Sequence, residues 1–575
     1  MLLKIINSTE QNIFMQNTEV AAVLWKIAEL LDIKGGNVFK VNAYRNAARA
    51  VENISEPIED LWKKGELEEI QGIGKGIAKK IDELLRTRKL KYYEELKKSM
   101  PIDIDSLSNI EGLGAKKIKK LYQKLKIKNL SDLERAIKNH KVSRLEGFGE
   151  KSEQHLSESI KFSKARTSRM LLSEAWYAAN EITGKLKHVA DVEVAGSLRR
   201  KKETIGDFDL LACSENPQGL MKIFTNLDIV RDVTAKGETK CSVRLKNGLG
   251  VDLRVVKKKQ FGSALLYFTG SKEHNIYLRR IAISKNYKLS EYGLFFGGKE
   301  IAGKTEEEVY KVLGMQYIEP ELRENTGEIE LAQKNKIPKI LGYDEIQGDL
   351  QMHTTASDGA NTIEQMKEKC SSLKYKYMCI TDHVGMLKIA GSLSLNQLKR
   401  QGEKIDKLNK KGGIIILKGA EINIKANGEL DVKNNELKKL DIVFASIHTS
   451  FSRNGTSRII NSMENENVDI IAHPTGRLIN KRKGYDLDMD KIFETAKITG
   501  TVLEVNSQPN RLDLNDIYIK AAVSCGCRLS INTDAHSAEH LNFMEIGIAT
   551  ARRGWAKKSD IINAQPLKKM MKMMK

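Results

Sequence analysis

Apolar residues recur at helical spacing from Thr18 to Leu31, pause at Gly35-Gly36 and resume through Asn42, Tyr44 and Val51, which predicts two helices. Three near-copies of one pattern follow: Ile70-Gln-Gly72-Ile-Gly74-Lys-Gly76, Ile110-Glu-Gly112-Leu-Gly114 and Leu145-Glu-Gly147-Phe-Gly149. Each sets an apolar residue and Gly-x-Gly between two helical segments. From Val194 the period falls to two. A short apolar run ends at a Gly196-Ser197 turn, Phe208 to Cys213 predicts a strand, and Leu249 to Val256 predicts another. At that period Asp207 and Asp209 point to one face and Phe208 to the other. Residues 325–345 are polar, carry Pro338 and Gly342, and predict a linker. Beyond them short apolar runs alternate with helical stretches, the pattern of a (β/α) barrel. The closing Lys568-to-Lys575 run of Lys and Met predicts a frayed, solvated end.

Composition changes this picture little. At 575 residues the chain holds several domains, and its net charge of +21 suits a polyanionic partner. The excess is diffuse, with 61 basic and 49 acidic residues up to 345 and 35 against 26 beyond. Charge alone therefore does not choose the partner. The six cysteines (213, 241, 370, 379, 525 and 527) are paired in sequence only as Cys525-Gly-Cys527, which fits reduced thiols in a cytoplasm better than a disulfide framework. No apolar run reaches the length of a membrane span, and the N-terminus has no signal-peptide layout.

The chemistry concentrates at Gly196-Ser197-Leu-Arg199-Arg200 and Asp207-Phe-Asp209. Two carboxylates a few ångströms apart repel unless a cation lies between them, and two divalent metals stabilise both the attacking and the leaving oxygen of a phosphoryl displacement. Gly196 lets the backbone approach a phosphate, Ser197 offers a hydroxyl, and the two arginines offer forked donors for a triphosphate. An isolated Asp-x-Asp is usually a polar strand edge; the full ordered set favours nucleotidyl transfer. The three glycine patterns have the layout of helix-hairpin-helix motifs. Their glycines (72, 74, 112, 114, 147 and 149) free backbone amides for a DNA phosphate, whereas a single copy would more often be a plain helix connection.

Together with Asn42-Ala-Tyr44-Arg45, Lys236-Gly-Glu-Thr-Lys240, Val251-Asp252-Leu-Arg254 and Tyr267-Phe268-Thr-Gly270-Ser, these motifs resemble family X DNA polymerases, the DNA polymerase beta group. The resemblance runs in order from about residue 18 to 330. It implies a tail to 17, a lyase-like helical domain over 18–95, a fingers-type helical domain over 96–165, a nucleotidyltransferase palm over 166–262 and a thumb over 263–330. Asp252 becomes the third carboxylate, which helps activate the primer 3′-hydroxyl. Independently of the resemblance, an acid between valine and leucine in a strand needs a partner, and Arg254 is the local choice. By the same mapping Gly196, Ser197 and Arg200 hold the triphosphate, Tyr267, Phe268 and Gly270 line the sugar, and Asn275 contacts base or minor groove. Core aromatics are the other reading of Tyr267 and Phe268. The family's Schiff-base lysine falls at Lys80, where a solvated lysine is the default in so lysine-rich a chain; Phe39 and Gly76 depart from the polar groups of mammalian-type lyases.

Six of the ten histidines fall between 353 and 540 and close short apolar runs, as in Met378-to-His383, Val443-to-His448 and Ile470-to-His473. Glu421, Asp534 and His536 end similar runs. Ligands at several strand ends point to a multi-metal site, and histidine plus carboxylate without thiolate suits Zn²⁺, Mn²⁺ or Fe²⁺. The segment 346–575, after a linker over 331–345, resembles a PHP domain, the phosphoesterase fold that bacterial and archaeal family X enzymes append. The resemblance places His353, Asp358, His383, Glu421, His448, His473, Asp534 and His536 around as many as three ions. It departs at Gln351, where the opening His-x-His motif usually has histidine, so one ion is expected to bind differently there.

The sequence thus implies a multidomain α+β and α/β protein with helix-hairpin-helix domains, a nucleotidyltransferase palm and thumb, and a (β/α)7-type PHP barrel. The function implied is a cytoplasmic, monomeric gap-filling DNA repair polymerase. It uses Mg²⁺ or Mn²⁺, gapped or primed DNA and deoxynucleoside triphosphates, and carries a metal-dependent 3′–5′ exonuclease, 3′-end or abasic-site phosphoesterase. The rivals are a PHP phosphatase tethered to DNA by an inactive polymerase half and a non-enzymatic helix-hairpin-helix scaffold.

Overall fold

The computed structural model describes residues 17–575 except 55–57, 71, 100–101, 104–106, 108–112, 114, 151, 155, 158–159, 161–168, 387–389 and 452–453. The chain divides near residue 168 into a helical unit and a larger unit from Arg169 onward.

In the helical unit, α1 (Asn17–Lys34) and α2 (Val38–Asn53) pack face to face, as their apolar spacing predicts. Asn37 caps α2 by accepting a hydrogen bond from the Phe39 amide. After the first hairpin comes α3 (Lys75–Thr87), which buries Ile77, Ala78, Ile81, Leu84 and Leu85, then α4 (Lys91–Ser99). The core continues through α5 (Ala115–Leu125) and α6 (Leu130–Lys138) to Phe148, Leu156 and Ile160.

The larger unit opens on a two-residue strand, Met170–Leu171, paired with Thr204–Ile205, and continues into α7 (Leu172–Leu186). This helix packs beside a five-stranded sheet of β1 (Asp191–Val194), β2 (Asp207–Cys213), β3 (Val230–Lys236), β4 (Lys240–Leu245) and β5 (Gly250–Val255), in the order β1-β2-β5-β4-β3. Strands β2 and β5 are parallel, with Asp209 opposite Asp252. The expected Gly196-Ser197 turn is a single helical turn, α8 (Gly196–Arg199). Next come α9 (Phe261–Thr269), α10 (Lys272–Ser284), a three-stranded antiparallel sheet over 288–302 and α11 (Glu306–Val312).

The C-terminal part is a parallel sheet in sequential order: β6 (Gly348–Asp349), β7 (Tyr377–Ile380), β8 (Ile415–Asn423), β9 (Ile442–Ser446), β10 (Ile470–Ile471), β11 (Val502–Asn506) and β12 (Leu529–Asn532), with His383–Val384 paired beside β8. A parallel bridge between Met352 and Ala535 brings its first and last edges together, so the barrel is nearly closed. Helix α12 (Met544–Arg553) then packs against β11 and β12.

Two expectations need correction. The stretch 331–345 is not a free linker: Ile340 and Leu341 are buried, the Leu341 amide donates to the Ala556 carbonyl, and the Tyr343 hydroxyl donates to Glu321. The C-terminus is not frayed either. Met570 is buried, and the Lys575 amine donates to the Met463 and Asn465 carbonyls. In both places isolated apolar residues among polar ones find a groove, and periodicity carries no signal for that.

Two candidate active sites and a candidate DNA-binding surface

The palm carboxylates stand where strand register puts them. Asp207 is exposed, Asp209 is half-buried one period further along β2, and Asp252 lies across on β5. Burial, reinforced by Asp252 and Asp207, pushes the Asp209 carboxyl up to about 6. At Asp252 burial is outweighed by hydrogen bonds from Ser242 and Lys240, which hold its carboxyl below the usual range. Its partner is Lys240, with Nζ 2.9 Å from Oδ2, rather than Arg254, whose guanidinium lies 4.6 Å from the Phe268 ring centroid. Gly196 is required twice over: its φ is +68°, and a Cβ there would sit 3.0 Å from Asp209 Oδ2.

The two arginines have different employments. Arg199 forks onto Glu306 at 2.8 and 2.7 Å and donates to Thr269 Oγ1 at 2.8 Å, so it ties the palm to α11 and is not free for a triphosphate. Arg200 donates from Nε to Glu324 Oε1 at 3.0 Å and from Nη1 to the Thr269 carbonyl. Gly270, φ +66°, lies against that fork; a Cβ there would be 3.2 Å from Arg200 Nη1. Tyr267 is exposed and packs edge-on against Phe268, and the Asn275 amide donates to the Tyr267 carbonyl at 2.7 Å. Gly196 thus lies against Asp209 and Gly270 against Arg200, with Tyr267, Phe268 and Asn275 on α9 and α10.

At the barrel mouth all eight predicted ligands converge. Three sets, His353-Asp358-His383-His536, His383-Glu421-His448 and His353-Glu421-Asp534, each bring their donor atoms within 4.8 Å of one another. His473 joins through Nε2, 3.2 Å from Glu421 Oε1. The donor set fits cations: both His353 ring nitrogens and His473 Nδ1 are buried without a hydrogen-bond partner, and three carboxylates face them. The buried amide of Gln351 likewise lacks partners at both Oε1 and Nε2. Burial opposes charge on Asp358, but His536, His353 and His383 hold its carboxyl at about 2.

Supporting residues were missed in the sequence. Asp382 accepts from the Thr354 amide and hydroxyl, Ser357 and Gln401, and so fixes the loop that carries Asp358. Glu504 accepts from the His473 amide, while Asn506 donates to both Glu504 and Asp534. Arg511 Nε lies 3.9 Å from Asp534 Oδ2. Glu504 and Asn506 on β11 alternate toward the mouth like the ligands, a legible signal; Arg511 sits in a loop and gave none.

In the helical unit, Gly72 (φ +99°) and Gly147 (φ +83°) make left-handed turns beside the buried anchors Ile73 and Phe148, and Gly74 precedes the first turn of α3. Gly149 follows Phe148 in the third copy. Gly112 and Gly114 lie outside the described residues. Lys80 donates to the Gly76 carbonyl at 3.0 Å and lies 5.0 Å from the Tyr92 ring centroid.

Comparison with known proteins bears on all three places. Family models for a helix-hairpin-helix domain (15–90), a SAM-like helix-hairpin-helix tandem (64–128 and 104–161), a DNA polymerase beta thumb (264–324) and a PHP domain (349–508) match the chain. The DNA polymerase/3′–5′ exonuclease PolX of Bacillus subtilis (strain 168) is 38% identical over 565 residues, covering 96% of this chain and 98% of that protein. The chain belongs to the PolX family. As a PolX enzyme it is a metal-dependent nucleotidyltransferase that acts on DNA and is joined to a PHP exonuclease. A rat DNA polymerase lambda is 25% identical over 338 residues, 54% of this chain and 56% of that one. A probable phosphatase of Thermoanaerobacter sp. (strain X514) is 33% identical over 204 residues, a third (33%) of this chain and 78% of its own. Among the described residues no helix is long and apolar enough to cross a membrane.

Proposed function

We propose that this PolX enzyme fills short gaps in DNA from deoxynucleoside triphosphates, and that its PHP domain removes 3′-terminal nucleotides or 3′ blocking groups. The pairing of Asp209 with Asp252 across parallel strands, with Asp207 one period away and Gly196 against Asp209, carries the polymerase reading. In it, Asp207, Asp209 and Asp252 hold Mg²⁺ or Mn²⁺, which when bound lowers the charge of the reacting phosphate and activates the primer hydroxyl. Ser197 and Arg200 orient the triphosphate, Tyr267, Phe268 and Gly270 line the sugar, and Asn275 faces the base. Lys240 keeps Asp252 ionised. The hairpin glycines 72, 74, 112, 114, 147 and 149 offer amides to the DNA backbone.

In the PHP domain the eight ligands hold up to three Mn²⁺, Zn²⁺ or Fe²⁺ ions, which supply a hydroxide and polarise a phosphodiester. Glu421 is central, since its two oxygens face His448, His473, His383 and His353. The enzyme acts in this reading as a cytoplasmic monomer, over the domain boundaries given above except that 331–345 is packed rather than a free linker. A Schiff-base role for Lys80 rests on the resemblance alone; borohydride trapping on abasic DNA with wild type and Lys80→Ala tests it. For the main reading the test is incubation with gapped DNA, one labelled nucleotide and either Mg²⁺ or Mn²⁺. One-nucleotide extension is expected, with 3′ shortening when nucleotide is withheld. Failure to extend under either metal overturns it.

A further inference from the structure

The basic turn after α8, Arg200-Lys201-Lys202-Glu203, is gripped by PHP-domain side chains. Arg553, at the end of α12, donates from Nη1 to the Arg200 carbonyl at 2.8 Å and to Glu324 Oε1 at 3.1 Å, and from Nε and Nη2 to Asp516 Oδ2 at 2.9 and 2.6 Å. Its side chain is only 5% exposed. Glu545, about two turns earlier on α12, lies 3.4 Å from Lys201 Nζ, and Arg477 donates to Glu203 at 2.8 Å. Glu324 Oε1 is shared: Arg200 Nε binds it at 3.0 Å, and Lys202 Nζ lies 3.7 Å from Oε2.

We infer that Arg553 of the PHP domain is a positioning residue for nucleotide binding in the palm, acting through Arg200 and Glu324. Glu324 holds Arg200 through Nε and the Thr269 carbonyl holds it through Nη1, so a triphosphate that takes the guanidinium competes with Glu324 for its charge. Arg553 offsets this in two ways. It fixes the Arg200 backbone, so that only the side chain moves, and it keeps a cation on Glu324 once Arg200 has turned to the phosphates. Without Arg553, Glu324 holds Arg200 more tightly and the turn loses an anchor, so both effects weaken nucleotide binding. Neither touches the catalytic carboxylates or the PHP ligands. The inference rests on Arg200 as a triphosphate ligand.

The experiment is steady-state gap filling by the full chain, with KM for the incoming nucleotide, kcat, exonuclease rate and thermal midpoint measured for wild type, Arg553→Met, Arg553→Lys and Arg200→Ala. Arg553→Met is expected to raise KM about tenfold, the worth of one charged hydrogen bond, with kcat and exonuclease within about twofold. Arg553→Lys keeps the charge but not the fork and should return KM to about two- to threefold above wild type. If Arg553→Met does not fold, a rise of that size in Arg553→Lys carries the inference and its absence overturns it. An unchanged KM in folded Arg553→Met, with Arg200→Ala raising it, overturns the inference and leaves the Arg200 reading standing. An unchanged KM in Arg200→Ala overturns both. Parallel losses of kcat, exonuclease and thermal midpoint mark Arg553 as merely structural and overturn it too.

Discussion

Among single residues the palm separates the carboxylates proposed to bind metal from charges that hold the scaffold. Asp207→Ala or Asp252→Ala should abolish primer extension and leave gapped-DNA affinity within about threefold, because the backbone phosphates are bound elsewhere; retained extension by either variant in a gapped-primer assay contradicts the site. Glu306 is the opposite kind of residue. Burial works against its charge, but Arg323 and Arg199 outweigh it and hold the carboxyl at about 2. The folded value lies below the unfolded one of about 4.3. Its stabilisation, on the order of 3 kcal/mol, is therefore complete above that value and is lost as pH falls toward 2. Glu306→Gln should cost stability at pH 6 and much less at pH 3, read from urea melts of both proteins. The aspartates were legible from spacing alone, since a strand period puts 207 and 209 on one face. The second employment of Arg199 was not: its partner stands 107 residues away, and two adjacent arginines look alike in sequence.

At the level of elements, strands that end in His or Glu were readable because a short apolar run followed by such a residue is unusual, and the barrel brings those ends to one rim. Segments without a period were not readable, which is why the polar stretch before the barrel and the closing Lys-Met run both turned out packed. Gln351 tests how far strand position determines chemistry. It stands two residues before His353, on the same face of the chain, buried and with neither amide atom bonded. A neutral carboxamide binds a cation more weakly than imidazole, so wild type should lose part of its metal on dialysis while keeping activity in added Mn²⁺. Gln351→His should retain more, measured by elemental analysis beside nuclease rate. Three ions already retained by wild type, with no gain in the variant, would place Gln351 away from any ion.

Across the larger unit, the two groups of residues proposed to bind metal belong to different sheets, one around β2 and β5 and the other at the barrel mouth, yet α12 and the loop at Arg477 join the barrel to the palm by hydrogen bonds and ion pairs. Chemistry and support are thus distributed differently. Among the described residues, the hydrogen bonds and ion pairs of the barrel cluster run within the barrel, whereas Arg553, Glu545 and Arg477 contact the palm. Substitutions at the cluster should therefore act locally: Glu421→Ala or His448→Ala removes exonuclease by at least about a hundredfold, as expected when an ion loses a direct ligand, and leaves gap filling within about twofold. Glu421 is the more demanding variant, since removing it leaves His353, His383, His448 and His473 without the carboxylate they share. Protein that keeps its circular dichroism but loses both activities on Glu421→Ala would show one shared site. Loss of exonuclease alone, beside unchanged nucleotide KM, fits two separate centres joined by the clamp on the turn 200–203 and by shared packing, not by shared ligands.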